Sequence, residues 1–341
     1  MAKLSLGFAM SHGPLLALPP EDWGRSRTAD MMEIPRIHYR GESYSYEELL
    51  EVRQADLEYF RQEFELPRRQ QKFERNQNNL DRLGKVLREI NPDVLIVVGD
   101  DHYEFFRKDV QPSFAVYTGS EIINPGFDPA ERDDLPDAVK LIIASHNPPQ
   151  DQVYPCESEL ALRIVSQAIA DDIDLTACGA QPVDDGVLRG IGHCVGFPYR
   201  RVLRDDPIPL IPVLMNTYFK PNQPPVRRCY ELGRSIGRAV AAWGSDKTVG
   251  IVGSGGLSHF AIDEAWDREV LAAMQNWDFE YLLNIPESIF ESGTSEVKNW
   301  ITAMAAIHEA NRDLSMQLID YVPCYRSEGG TGTATGFAVW T

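Results

Sequence analysis

The stretch Leu4-Ser-Leu-Gly-Phe-Ala-Met10, followed at once by Ser11-His12-Gly13-Pro14, sets the pattern of the whole chain. An uncharged, mostly apolar run that stops at a Ser, Gly and Pro turn reads as a buried strand running into a polar loop. Four further runs repeat it, at residues 94–98, 114–117, 208–215 and 249–252. Between them, apolar residues recur at three- and four-residue spacing over 46–64, 70–90, 158–170, 229–243 and 295–311, the period of a helix with one buried face. Strands alternating with helices predict an α/β fold with a largely parallel central sheet covered by helices on both faces.

With 341 residues, 43% of them apolar, the chain is long enough to bury a large core, and no internal repeat or Ser/Gly-rich linker divides it. One domain over 1–341 is expected. Residues 19–88 differ in character: charged, broken by Pro19, Pro20, Pro35 and Pro67, and helical in pattern after Ser45. They read as a mostly helical insertion, or cap, near the N-terminus. The net charge of -18, from 51 acidic against 33 basic side chains, repels phosphate backbones and anionic lipid, so neither nucleic acid nor membrane is an expected partner. The first 14 residues are too short an apolar run for a secretory signal, and no later run approaches a membrane span, which leads to a cytoplasmic expectation. The five cysteines are odd in number, scattered and without a CxxC, and predict reduced structural thiols rather than disulfides or a zinc cluster. The glycine-rich stretch at 329–336 has no helix after it and no Walker lysine, so it is expected to be a structural or substrate-rimming loop rather than a phosphate cradle.

Chemistry enters with the histidines. Of seven, three closely follow a predicted strand: His12, His102 in Gly99-Asp-Asp-His102, and His259 in Gly253-Ser-Gly-Gly-Leu-Ser-His259. In an open α/β sheet, loops beyond the carboxyl ends of the strands form the ligand crevice, so these three imidazoles are expected to converge there. His193, in Gly190-Ile-Gly-His-Cys-Val-Gly-Phe-Pro198, is a fourth that faces the same crevice on this reading. His38, His146 and His308 are expected in solvated roles. Two imidazoles and one carboxylate on one face of a metal leave positions open, the arrangement that holds iron(II) for oxygen chemistry. Asp100, Asp101, Glu291 and Glu296 all qualify by local context as the carboxylate, and spacing does not choose among them.

These residues resemble the type III extradiol ring-cleavage dioxygenases, the family of the protocatechuate 4,5-dioxygenase catalytic subunit. The likeness runs in order through Ser11-His12-x-Pro14, Asp101-His102, the glycine-flanked His193 before Phe197-Pro198, Gly255-Gly256-Leu-Ser-His259, and Glu291-Ser-Gly293 followed by Glu296 four residues before Trp300. The resemblance implies one Fe(II) held by His12, His102 and Glu296, with His259 as acid/base beside a substrate hydroxyl and His193 on the oxygen and substrate side. It implies an aromatic diol and dioxygen as partners, and leaves a homodimer open. The layout departs from the protocatechuate subunit in the 89 residues between His12 and His102. It is similar instead to single-chain members acting on 3-O-methylgallate and related lignin-derived catechols, which share the Ser-His-Gly-Pro start and a stretch like Arg40-Gly-x-x-Tyr44-x-x-x-Glu48-Leu49. On this likeness, residues 19–88 cover the pocket. Two other classes stay open from sequence: a hydrolase using the same ligands to activate water, and a non-enzymatic interaction protein of the same superfamily.

Overall fold

In the run at 94–98, Val94, Ile96 and Val98 point to one face of the sheet and Leu95 and Val97 to the other. All five are fully buried, which is why the sequence shows no polar alternation there. A computed structural model describes residues 2–24 and 36–341. Its centre is a nine-stranded sheet: β1 (Lys3–Met10), β2 (Val94–Asp100), β3 (Phe114–Tyr117), β4 (Thr176–Cys178), β5 (Leu210–Met215), β6 (Thr248–Ser254), β7 (His259–Ala261), β8 (Met316–Tyr325) and β9 (Thr331–Trp340).

The order is β7-β9-β1-β6-β2-β5-β3-β4, with β8 along the other side of β9. Strands β1, β6, β2 and β5 run parallel, as do β3 and β4. Strand β3 is antiparallel to β5, and β9 is antiparallel to β1, β7 and β8. The sheet is therefore mixed, which corrects the largely parallel expectation. The start of the long β8–β9 hairpin was invisible to hydropathy because the first six residues of β9, 331–336, are Gly, Thr and Ala: the expected loop at 329–336 is a turn at Gly329 and Gly330 that runs straight into this strand. Gly336 is small because a Cβ there would lie 2.8 Å from the Trp300 ring.

Helices cover both faces. On one side lie α2 (Ser158–Ala170), α3 (Val226–Ala242), α4 (Glu264–Gln275) and α5 (Val297–Ala310), packed on Ile96, Val98 and Ile251. Helices α3 and α5 approach closely enough that a Cβ on Gly233 would lie 2.2 Å from the Thr302 carbonyl oxygen. On the other side α1 (Leu66–Ile90) buries Leu80, Leu83 and Leu87 against Leu95 and Val97.

The predicted 46–64 helix is two short ones, Tyr46–Val52 and Leu57–Glu63, joined by a 3-10 turn. Ser45 starts the first with a capping box, its hydroxyl accepting from Glu48 N–H. Arg53 ends that helix fully inside the protein, donating to the carbonyls of Gly329, Gly330 and Ile262, and so ties the β8–β9 turn down. Part of the expected cap is thus a layer of the fold itself, since α1 belongs to the core. A hairpin of Ile37–Tyr39 and Glu42–Tyr44 lies by β7, with Arg40 paired to Asp263. The cap expectation for residues 25–35 falls outside the described residues.

Candidate metal centre

The four parallel strands end at the same edge, and their ends supply the site. Strand β1 leads to His12, β2 ends on Asp100 just before His102, and β6 ends on Ser254. Asp101 shapes the second of these loops: its carboxylate accepts from Phe105 N–H at 2.7 Å and Phe106 N–H at 3.0 Å, turning the chain so that His102 faces back. Burial pushes the Asp101 carboxyl up to about 6. Glu296 arrives from the opposite direction, immediately before α5, where a negative charge is favoured by the helix dipole.

Three imidazoles share one mode of attachment. His12 Nδ1 is 2.9 Å from Ser254 Oγ, His193 Nδ1 is 2.8 Å from Glu104 Oε2, and His259 Nδ1 donates to the Leu257 carbonyl at 2.8 Å. In each the outer nitrogen is tied to protein and Nε2 faces the shared space, the way ligating and proton-transferring histidines are oriented. There His12 Nε2 lies 3.1 Å from His193 Nε2, 3.2 Å from Glu296 Oε2 and 3.7 Å from Asp100 Oδ1. His259 Nε2 lies 3.2 Å from Glu296 Oε1, and His102 Nε2 3.0 Å from Asp100 Oδ2.

Two sets of donor atoms fall within 4.8 Å of one another: His12, Asp100 and His193, and Asp100, His102 and Glu296. Among the described residues neither set holds the expected His12, His102 and Glu296 together: His102 and Glu296 share a set with Asp100, and His12 meets Glu296 at 3.2 Å. The other two candidate carboxylates are engaged elsewhere. Asp101 is spent on its loop, and Glu291 pairs with Lys220 at 2.8 Å.

The residues fit a divalent metal. Among the described residues, His102 Nε2 and Asp100 Oδ2 are buried atoms without a hydrogen bond, their nearest polar contact being each other at 3.0 Å. Imidazole nitrogen and carboxylate oxygen, with no thiolate among them, suit iron, manganese or zinc.

Charge is matched to this arrangement. Burial works to raise the Glu296 carboxyl, but His259 and His12 overcome it and hold it well below the usual range. Burial likewise opposes the charged forms of Glu104 and His193, yet each is stabilised by the other: Glu104 is held low, and His193 is raised to about 10. Glu104, only two residues beyond His102, was missed in the sequence because nothing marks it as the partner of an imidazole 89 positions away. His146, expected in solvent, is half-buried with its ring 6.2 Å from that of His193, and burial lowers it to about 4.

His259 is held from behind. Thr294 Oγ1 accepts from its N–H and donates to its carbonyl. Ser258 gives both its N–H and its hydroxyl to the fully buried Asp267, which also accepts from Tyr321 OH at 2.7 Å. Burial raises Asp267 to about 7. A carboxyl raised in the folded state stabilises the fold fully below its unfolded value near 4, and this contribution is lost as pH climbs through 7. Asp267→Asn is therefore expected to flatten the fall in stability between about pH 4 and pH 7 by on the order of a few kcal/mol. Denaturant midpoints across that range check it; parallel curves for the two proteins would remove Asp267 from the pH response.

Comparison with known proteins agrees with this chemistry. The chain is 29% identical over 171 residues to a 2,3-dihydroxyphenylpropionate/2,3-dihydroxicinnamic acid 1,2-dioxygenase of Mycobacterium sp. (strain MCS), covering 50% of this chain and 45% of that protein. It is 28% identical over 184 residues to the protein of the same name from Paraburkholderia phymatum, covering 53% and 48%. The chain spans about half the length of the curated relatives it matches. The crystal structure of "uncharacterized protein JW3007" from Escherichia coli K12 superposes with a TM-score of 0.44 at 12% identity, over 76% of this chain and 91% of that one, a likeness too slight to weigh. The family described as the catalytic LigB subunit of aromatic ring-opening dioxygenase matches residues 62–326, well over half of the sequence, and the chain belongs to that family.

Proposed function

We propose that this protein is an Fe(II)-dependent extradiol dioxygenase that opens a catecholic ring with dioxygen, its metal held by His12, His102 and Glu296. The observation carrying this reading is the convergence of Nε2 atoms and carboxylate oxygens at the ends of β1 and β2, with buried donors left without hydrogen bonds. Family membership supports it. Bound ferrous ion supplies a Lewis acid with open positions and an electron source for dioxygen.

The remaining work belongs to side chains. Glu296 contributes one negative charge, which keeps the centre near neutral when an anionic diol enters. His259, its Nδ1 fixed on Leu257, presents Nε2 to take a hydroxyl proton and later return it. His193, charged through its pair with Glu104, donates to oxygen atoms that become negative. Substrate reaches them through a cavity of about 390 Å³ lined by Arg36, His38, Tyr218, Lys220, Phe260 and Glu291. The Tyr218 ring lies tilted against that of His102, 4.8 Å between centroids, and Phe260 adjoins His259, so an aromatic substrate meets aromatic walls. The hairpin at 37–44 and the helices that follow it take the covering role in this reading.

Gallate, 3-O-methylgallate, protocatechuate and related lignin-derived catechols are the proposed substrates, with 2,3-dihydroxyphenylpropionate added by the relatives' names. Five free cysteines support a reducing, cytoplasmic setting. Among the described residues no helix is long and apolar enough to cross a membrane. Anaerobic loading with Fe(II), followed by oxygen uptake and product absorbance on each diol, tests the proposal. Uptake that needs ferrous ion and yields a yellow ring-opened product supports it, and a loaded protein that consumes no oxygen with any of them overturns it.

Close packing on the base gives a further test. A Cβ at Gly293 would sit 1.9 Å from His259 Cδ2, so Gly293→Ala must push the ring aside. Turnover is expected to fall about 100-fold, the scale set by an ångström of misplacement, with metal content unchanged. An unaltered kcat would show that the ring position is not critical.

A further inference from the structure

We infer that Lys220 reads a carboxylate on the substrate, so that the protein selects diols bearing an anionic group over neutral ones. The inference rests on the dioxygenase reading above and deepens it to a specificity-determining residue.

The cavity that leads to the metal centre reverses the charge of the protein around it. The chain carries -18 overall, yet the formally charged side chains lining this cavity are Arg36 and Lys220 against Glu291 alone, with His38 among them. His38 feels all three: burial lowers its pKa, Glu291 opposes the shift, and Lys220 and Arg36 add to it. An acidic surface repels an anion at long range, and a local excess of positive charge at the mouth draws one in.

Lys220 is the cation placed to make the contact. It ends the loop Asn216-Thr-Tyr-Phe-Lys220 that follows β5. Asn216 pins this loop, accepting from Phe219 N–H at 2.9 Å and donating to the Phe219 carbonyl at 2.8 Å, and Gln223 donates to the carbonyls of Thr217 and Tyr218. The Phe219 ring stacks on that of Tyr103, 3.7 Å between centroids, which ties the loop to the one carrying His102. Tyr218 lies against the His102 ring. Lys220 follows two residues on, a span of at most about 7 Å, which is the scale of one substituted benzene ring. A diol held at the metal centre thus brings a ring substituent within reach of the ammonium.

The two cations differ in what already holds them. Arg36 spends all three of its side-chain nitrogens on Glu48 and Ser43. Lys220 meets Glu291 at 2.8 Å, but its side chain is 66% exposed, and an exposed ion pair contributes little. With three N–H groups, the ammonium can keep or exchange Glu291 as a substrate carboxylate enters.

The test compares protocatechuate and gallate with their carboxamides on the Fe(II)-loaded full chain, as the acid-to-amide ratio of kcat/KM by oxygen uptake and of affinity by anaerobic calorimetry. The amide keeps the size of the acid and loses its charge. Wild type should favour the acid, and Lys220→Met should lower both ratios about 10-fold or more, the lower end for a hydrogen bond to a charged group. Lys220→Arg should restore them, and Glu291→Gln, which removes the competing carboxylate, should raise them. A wild type without preference for the acid overturns the inference, as do ratios unchanged in Lys220→Met. An equal fall in Arg36→Met also overturns it, since the preference would then come from the field of the mouth and not from a contact. If wild type consumes no oxygen with any diol, the dioxygenase reading falls instead, and the affinity ratios still decide Lys220.

Discussion

His259→Phe is expected to keep its metal and fold while losing turnover by a factor of about 10² to 10⁴, the range typical of a positioned acid/base group. The ring sits in a space defined on all sides. Thr294 holds its backbone at both the N–H and the carbonyl, Leu257 accepts from Nδ1, and Gly293 lies directly against its edge. Phenylalanine keeps the flat ring and the packing but has no nitrogen to exchange a proton. The loss should fall on kcat rather than on metal content, because His259 stands beside Glu296 without being a proposed ligand. Steady-state oxygen uptake with metal analysis reads both quantities. Full activity in the variant would take His259 out of the mechanism.

Glu296→Ala is expected to weaken ferrous binding by more than about 100-fold, since changes to outer partners of a ligand alone cost 10- to 100-fold, and to abolish detectable turnover. Its carboxylate is buried at the head of α5, within 3.2 Å of both His12 and His259. Removing it leaves imidazoles and Asp100 to hold a doubly charged ion. The metal-free variant should unfold at a lower temperature than the metal-free wild type, because His12 and His259 lose the buried carboxylate that they stabilise. Anaerobic iron titration and thermal unfolding measure the two effects. Retention of one tightly bound iron would transfer the carboxylate role to Asp100.

The uncertainty among four carboxylates shows where sequence reading stops. Asp100, Asp101, Glu291 and Glu296 occur in equally plausible local contexts, and a linear chain does not record which of them point into the same space. Folding separates them by their partners. Asp101 is consumed by two backbone N–H groups, Glu291 by Lys220, and Asp100 and Glu296 are left facing the imidazoles. The Glu104–His193 pair escaped notice for the same reason, being assembled across 89 positions by two loops that meet only at the sheet edge.

What the sequence alone determined was local: apolar runs strong enough to be strands, helical periods between them, and polar turns that put His12 and His102 at strand ends. Those features follow from hydropathy and turn chemistry over a few residues, and the parallel centre of the sheet agrees with them. Tertiary structure decided the rest. It made the sheet mixed, in part through a β8–β9 hairpin whose β9 begins with small residues that carry no apolar signal, Gly336 among them lying against Trp300. It also brought His12, Asp100, His102, His193, His259 and Glu296 into one cluster, because convergence depends on the register and twist of strands distant in sequence, which no local pattern encodes.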